Sequence, residues 1–445
     1  MHTKFKLGTV FMVLLFNVLC FLTLYLYPGK KNTELLYAMG IICALIVLTY
    51  ILIYALDLGD PYPFLMVAML SSMSIIILYS LGIQQSAQYE NPSKSLVTIA
   101  RNQLKWFIAG MGIFYISYFI YRIFNKWNKL LKLYVGLTIV LFALTLIFGG
   151  SVGGARNWIS FGSVGIQPSE IIKLCFCFAT AVIFSRKQKL SGFKGKLCGI
   201  TREDTHMLIF VYVCLALFLL QGELGTAVLF FFVYFAMMIV YDVAFVIPLA
   251  NIAVMALGVF IIFTVGDRVG AFARALDRVE IWLDPEVYYY YEELGKPQGT
   301  QQIYESLKAI CSGGFFGTGL GLSGAHNIWV IESDLVFSAI CYEMGLFMGF
   351  AIIMIYFILA YRGCKIAMEV TEPFDRALAL TIITSLAGQA FIIIGGVTKM
   401  IPLTGITMPF VSAGGSSVIV SFAMLGILTA ISHKKEKSRL QVDKM

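Results

Sequence analysis

Along most of the chain, runs of about 20 apolar residues alternate with short polar segments, and each run can cross a hydrocarbon layer of roughly 30 Å as one helix. These runs fall near residues 7–27, 36–56, 63–83, 104–123, 131–149, 170–185, 206–221, 224–241, 246–265, 335–361, 377–398 and 416–432. In hydrocarbon a helix satisfies its own backbone hydrogen bonds, whereas a loop or an open sheet edge leaves them unmade. The pattern therefore predicts an all-α fold, a polytopic transmembrane helix bundle of about 12 spans. The polar segment 266–333 is longer than a connector needs and is expected to be functional or a partner surface.

Composition agrees, with 59% hydrophobic and 13% charged residues, against roughly a quarter charged in soluble domains. The net charge of +8 does not indicate nucleic acid, because the cations sit in the short segments between apolar runs. Arg122 to Lys132, Arg186 to Arg202, Arg362 to Arg376 and His433 to Lys444 are rich in Lys and Arg and fall on one side of the membrane. The positive-inside rule makes that side, and both termini, cytoplasmic. Segments 84–103, 149–169, 266–333 and 399–416 then face outward and hold most of the loop glycines. Cys20, Cys43, Cys175, Cys177, Cys214 and Cys341 lie within apolar runs without zinc or disulfide spacing and read as small buried hydrophobes. The first apolar run has no small-residue cleavage site before Tyr27 and Pro28 and reads as an anchor.

Four constellations could carry chemistry. Gly153 to Ile159, followed by Gln167-Pro168-Ser169-Glu170 and Lys173, combines an interfacial Trp158 with Arg156, which serves equally as an anchor or as a diphosphate ligand. Ser169 and Glu170 suit a helix N-terminus after the proline. In Gln221-Gly222-Glu223-Leu224-Gly225-Thr226, an acid sits between two spans, as a functional group or in a helix's first turn. The glycine series from Gly313 to Gly321 lacks the Lys-Ser/Thr of a nucleotide loop, and it leads to Glu332-Ser333-Asp334 at the start of a span. There Ser333 is a candidate cap and Asp334 is either a capping or a reactive carboxylate. The fourth, Pro402 to Ser417, is too rich in proline and glycine for helix, and such backbone persists near a membrane where it is buried in protein or lines a cavity. His326, without ligand partners in spacing, is expected on the surface.

In order, these motifs resemble the SEDS family, the FtsW, RodA and SpoVE proteins of bacterial cell-wall synthesis. The resemblance covers about 63–432 and rests on Gly154-Ala155-Arg156-x-Trp158-Ile159, Gln167-Pro168-Ser169-Glu170-x-x-Lys173, Glu223-Leu224-Gly225-Thr226-Ala227, Gln302 to Ser306 with the glycines, Asp334 with Glu343-x-Gly345, and Pro402 to Ser417. Departures are Gln221-Gly222-Glu223 where the family usually has Gln-Pro-Asp, Trp329 to Ser333 without a proline, and Tyr342 in place of the first of two acids. The resemblance implies a ten-helix core after a two-helix addition at 1–62, a glycosyltransferase domain at 63–432, and a basic tail at 433–445 suited to anionic lipid.

The activity it implies is polymerisation of lipid II into glycan strands at the outer face of the bacterial cytoplasmic membrane, in elongation, division or sporulation. Asp334 would be the catalytic carboxylate, as general base or as holder of a divalent cation, Mg or Mn. Arg156, Lys173, Gln302 and Ser416 are implied for diphosphate or glycan binding, with structural pairing as Lys173's other role. Glu223 and Glu343 are implied in a structural or cation role. A class B penicillin-binding protein is the implied partner. A flippase of lipid-linked precursor and a non-catalytic scaffold are the competing readings, and the absence of a clear inverted repeat weighs against the first.

Overall fold

The computed structural model describes residues 7–27, 32–89, 95–152, 155–161, 164–190, 202–241, 246–265, 270–283 and 298–442. The helices are α1 (Leu7–Tyr25), α2 (Thr33–Ala55), α3 (Tyr62–Gln88), α4 (Leu96–Ile123), α5 (Leu131–Phe148), α6 (Pro168–Leu190) and α7 (Arg202–Gln221). They continue as α8 (Leu224–Val240), α9 (Val246–Val265), α10 (Gly270–Leu283), α11 (Gln298–Gly313), α12 (Val336–Glu369), α13 (Pro373–Val397) and α14 (Gly415–Val442). Ten are long and apolar enough to cross a membrane, and Leu224–Val240 and Val246–Gly258 are shorter apolar helices. Every apolar run read from the sequence is helical, and the protein is a polytopic all-α membrane protein.

The chain divides into two compact units. The first comprises Met1–Arg122, Gln301–Arg362 and Thr407–Met445. Its centre is α3, with 89% of its apolar stretch buried, against 28% for α1 and 33% for α2. Several of its hydroxyls are satisfied inside the bundle, as where the Ser72 hydroxyl donates back to the Met69 carbonyl at 3.0 Å. The outer pair presents Phe11, Leu15, Leu48 and Ile51 to lipid. It is fastened through Glu34, whose carboxylate accepts from Arg101 Nε and Nη2, each at 2.7 Å, and from the Tyr79 hydroxyl at 2.9 Å. This pairing explains a displaced boundary. The span expected at 104–123 begins at Leu96, because Arg101, which breaks the hydropathy run, is neutralised by Glu34. Most of 84–103, expected as an outer loop, is therefore helix.

The second unit comprises Ile123–Thr300 and Gly363–Ile406. Its centre is the pair α6 and α13, each 89% buried along its apolar stretch. Phe176 of α6 packs on Phe230 with ring centroids 4.2 Å apart, and the Thr381 hydroxyl reaches the Cys177 carbonyl at 3.3 Å. Segment 149–169, expected as a loop, holds a three-stranded antiparallel sheet of β1 (Gly150–Val152), β2 (Ala155–Phe161) and β3 (Val164–Ile166), in the order β1-β2-β3. Strands this short leave little trace in hydropathy read over membrane-length windows. The long outer segment is also partly ordered as α10 and α11. Arg278 and Trp282 of α10 donate to the carbonyls of Thr404 at 2.8 Å and Lys399 at 3.0 Å.

Candidate active site

In the first unit the glycine series docks onto a break in α12. Gly345 has φ 81° and ψ 170°, which interrupts the helix and frees backbone groups on either side. The loop takes them up. Thr318 N donates to Tyr342 O at 3.0 Å and Gly319 N to Glu343 O at 2.9 Å, while Leu346 N and Phe347 N donate to the carbonyls of Gly314 and Phe315 at 2.9 and 3.1 Å. Any side chain at Gly345 would be strained at that φ, and its Cβ would fall 2.2 Å from the Phe315 carbonyl oxygen.

Below this seam lies Glu343, buried at 1% exposure. Its carboxylate accepts from the Ser80 hydroxyl at 2.5 Å, Gln84 Nε2 at 2.5 Å and the Ser323 hydroxyl at 3.0 Å. The same α3 side chains hold the loop backbone, since Gly321 N donates to Ser80 Oγ and Gly324 N to Gln84 Oε1, both at 2.7 Å. His326, expected on the surface, is half-buried, with Nε2 2.5 Å from Gln88 Oε1 and Nδ1 3.4 Å from Gln84 Oε1. The correction follows from folding. Ser80, Gln84 and Gln88 form one stripe of α3 at four-residue spacing, and the loop lands on it.

Asp334 stands half-buried two residues before α12. The turn leading to it includes Val330 at φ 52°, and the Ser333 hydroxyl, a candidate cap, points back to the Val330 carbonyl at 3.5 Å. The turn is tied to the Pro402 to Ser417 motif. The Ser412 hydroxyl donates to Ser333 O at 2.6 Å and Ala413 N to Glu332 O at 2.9 Å. Gln103 braces the other side of that segment, donating to Ser412 O at 3.2 Å and accepting from Gly414 N at 3.4 Å. Ser416 follows, half-buried in the first turn of α14. Gln302 lies on α11 one turn before Ser306, whose hydroxyl meets that of Ser338 at 2.7 Å. Farther along, Gly313 abuts the Cys341 carbonyl, so α11 and α12 run alongside each other in the same direction. Gln302 and Asp334 therefore lie at the same end of this helix pair. Asp334, Gln302, Ser416 and Glu343 thus belong to one unit whose motifs are joined by hydrogen bonds.

Arg156, Lys173 and Glu223 belong to the second unit. Arg156 is on β2, opposite Ser151, and its side chain lies outside the described residues. Lys173 is buried, with its ammonium 2.5 Å from Glu170 Oε2 and 2.7 Å from Gln389 Oε1. Glu223 occupies the tight turn between α7 and α8. Its Oε1 accepts from the Ser169 hydroxyl at 3.3 Å and Gln167 Nε2 at 3.4 Å, while Oε2 is buried with no hydrogen bond among the described residues. Burial pushes this carboxyl above the ordinary range, and the polar groups of Asn157, Gln167, Ser169 and Thr226 around it pull it part-way back. The first and second sequence motifs thus meet at Glu223.

Among the described residues, no three His, Cys, Asp or Glu side chains converge on a point where a metal could sit.

The family model described as cell cycle protein, FtsW/RodA/SpoVE, matches residues 61–437. The chain belongs to this family. It is 28% identical over 389 residues to the peptidoglycan glycosyltransferase RodA of Mycobacterium tuberculosis, covering 84% of this chain and 78% of that protein. It is 32% identical over 343 residues to the stage V sporulation protein E of Bacillus subtilis, covering 75% and 87%. A solved chain from a study of how a peptidoglycan synthase complex coordinates polymerisation and crosslinking shares the fold, with TM-score 0.64, 22% identity and coverage of 85% and 98%. As a member of this family, the protein is a multi-pass protein of the cytoplasmic membrane. The residues that sequence reasoning missed are Ser80, Gln84, Gln103, Ser323 and Gln389. Only the α3 stripe offered a signal, as polar positions four residues apart in an apolar helix.

Proposed function

We propose that this chain is a peptidoglycan glycosyltransferase that polymerises lipid II at the outer face of the cytoplasmic membrane. The observation that carries the reading is Asp334, a half-buried carboxylate at the mouth of α12 whose turn is hydrogen-bonded to the Pro402 to Ser417 motif. Family membership and relatives named peptidoglycan glycosyltransferase support it. Placement of the glycine loop and Asp334 outside rests on the Lys/Arg bias of the opposite segments.

The reaction joins two sugars. The 4-hydroxyl oxygen of the acceptor attacks the anomeric carbon of the donor, the new C–O bond forms, and undecaprenyl diphosphate leaves with the bonding electron pair. Asp334 accepts the hydroxyl proton as general base. A divalent cation bound beside Asp334 would supply charge neutralisation for the diphosphate. Arg156, in the second unit, is a candidate diphosphate ligand, and Gln302 and Ser416 are candidate hydrogen-bonding groups for the glycan. Lys173, with its ammonium held by Glu170 and Gln389, serves the core. Glu343 holds the glycine loop. A class B penicillin-binding protein is the proposed partner, a reading supported by the synthase complex to which the fold is similar.

The test is glycan-strand formation from lipid II by the purified chain with its transpeptidase and a divalent cation. Asp334→Ala, at equal expression and melting temperature, is expected to lose at least about 100-fold of the rate, the scale of a general base. Polymer from both proteins overturns the assignment of Asp334. No polymer from either, with flipping of lipid II retained in vesicles, replaces the polymerase with a transporter.

A further inference from the structure

A cavity of about 320 Å³ in the second unit is not used by the reaction above. It is lined by Asn128, Lys129, Ser185 and Arg186, from the short turn before α5 and the end of α6. Its wall is held in place. Lys129 N donates to Lys126 O at 3.0 Å, Leu130 N to Trp127 O at 3.2 Å, and the Tyr134 hydroxyl to Trp127 O at 3.1 Å. The Trp127 ring lies 5.3 Å from that of Phe178 on α6 and 4.9 Å from that of Phe124. This aromatic stack joins the turn to α6, so Lys129 and Arg186 face one space without depending on each other.

Three observations define what that space would take. The first is charge. Neither 122–132 nor 171–202 contains an Asp or Glu, and among the described residues neither Lys129 nor Arg186 has an ion-pair partner. The second is depth. Leu131 begins one apolar span and Ser185 ends another, with Trp127 between polar and apolar surroundings, which places the cavity at the headgroup level of a bilayer. The third is what adjoins it. Leu133 and Leu137 of α5, four and eight residues after Lys129 in the chain, are 57% and 40% exposed and offer an apolar surface for acyl chains.

We propose that this cavity binds the phosphodiester headgroup of an anionic membrane lipid. Arg186 and Lys129 pair with the phosphate oxygens. Asn128 and Ser185 supply neutral hydrogen bonds, and the acyl chains lie along Leu133 and Leu137. The volume falls within the range of small-ligand sites, about 300 to 1,000 Å³. The lipid would fix the cytoplasmic ends of α5 and α6 together, independently of any glycan chemistry at the other face.

The test is thermal unfolding of the purified full chain in detergent, titrated separately with phosphatidylglycerol, phosphatidylcholine and inorganic phosphate. Phosphatidylglycerol alone is expected to raise the melting temperature at low concentration. The double variant Lys129→Gln/Arg186→Gln is expected to weaken that effect by about fivefold per cation removed, the contribution of one cation beside an anionic surface. Lys132→Gln, which removes one charge from the same segment outside the cavity, should retain the shift. All these residues are exposed or at a helix end, and equal melting temperatures without lipid establish that the variants fold. An equal loss in Lys132→Gln, or equal shifts from both phospholipids, overturns the proposal. A shift from inorganic phosphate matching that from phosphatidylglycerol overturns its lipid part.

Discussion

Each unit buries an acid deep among its central helices, and the two satisfy it by opposite means. In the first, Glu343 is surrounded by neutral donors from Ser80, Gln84 and Ser323. In the second, Glu170 faces the ammonium of Lys173, with Gln389 as the third member. Neutral donors spread the carboxylate's hydrogen bonds over several segments of chain, so they organise a loop as well as a charge. An ion pair concentrates the interaction on two side chains one helical turn apart, so it organises the interior of one helix pair. Removing one donor from the first leaves others in place. Removing one member of the second leaves a buried charge alone.

The largest expected effect tests this asymmetry directly. Lys173→Met should destabilise the protein by about 3–5 kcal/mol, and the further change Glu170→Gln should recover much of the loss. Unfolding of both variants in detergent checks this, and failure of the second change to rescue would place the value of Lys173 elsewhere. Next is Gly345→Ala, expected to cost about 1–3 kcal/mol for a side chain at positive φ, and to expose the backbone of 313–319 to hydrogen exchange. Unchanged exchange in that segment would separate the helix break from the loop hydrogen-bonded to it. Glu343→Ala follows, leaving buried donors unmatched at a cost of about 1–3 kcal/mol, whereas Glu343→Gln should cost less. Equal losses in the two would mean that the charge rather than the hydrogen-bond count matters.

The smallest effect concerns Glu223, which has no cation among its described partners. Its carboxyl is raised by burial, so the folded state holds its proton more tightly than the unfolded state. Stability therefore declines as pH rises from the ordinary glutamate value of about 4.3 through the raised one. Glu223→Gln removes that decline, and its melting temperature should exceed the wild type's at pH 8 but not at pH 4. The opposite ordering would show that Glu223 is held ionised and paired.

Much of this molecule is legible in one dimension. The apolar runs at 63–83 and 377–398 mark α3 and α13 with boundaries shifted by a few residues, and the run at 416–432 marks the start of α14, which continues to Val442. The glycines at 313–321 and the Asp334 motif stood out by residue type alone. What was not legible depended on partners far away in sequence. The start of α4 moved to Leu96 because Arg101 is neutralised by a glutamate 67 residues earlier. His326 left the expected surface because Gln84 and Gln88 lie 242 and 238 residues before it. The small sheet at 150–166 escaped notice because its strands are too short to register as a periodicity.

The sequence by itself determined the solvent in which this protein folds, the approximate number of its spans, and the family to which its motifs belong. Those properties sum over neighbouring residues, since transfer to hydrocarbon depends on local composition and length. Only the tertiary structure decided which buried acid meets a lysine, which meets hydroxyls and amides, and which glycine breaks a helix so that a loop can bond to it. Such choices follow from the directional geometry of hydrogen bonds, between residues as near as Glu170 and Lys173 and as far apart as Gln84 and Glu343, and hydropathy carries no record of direction.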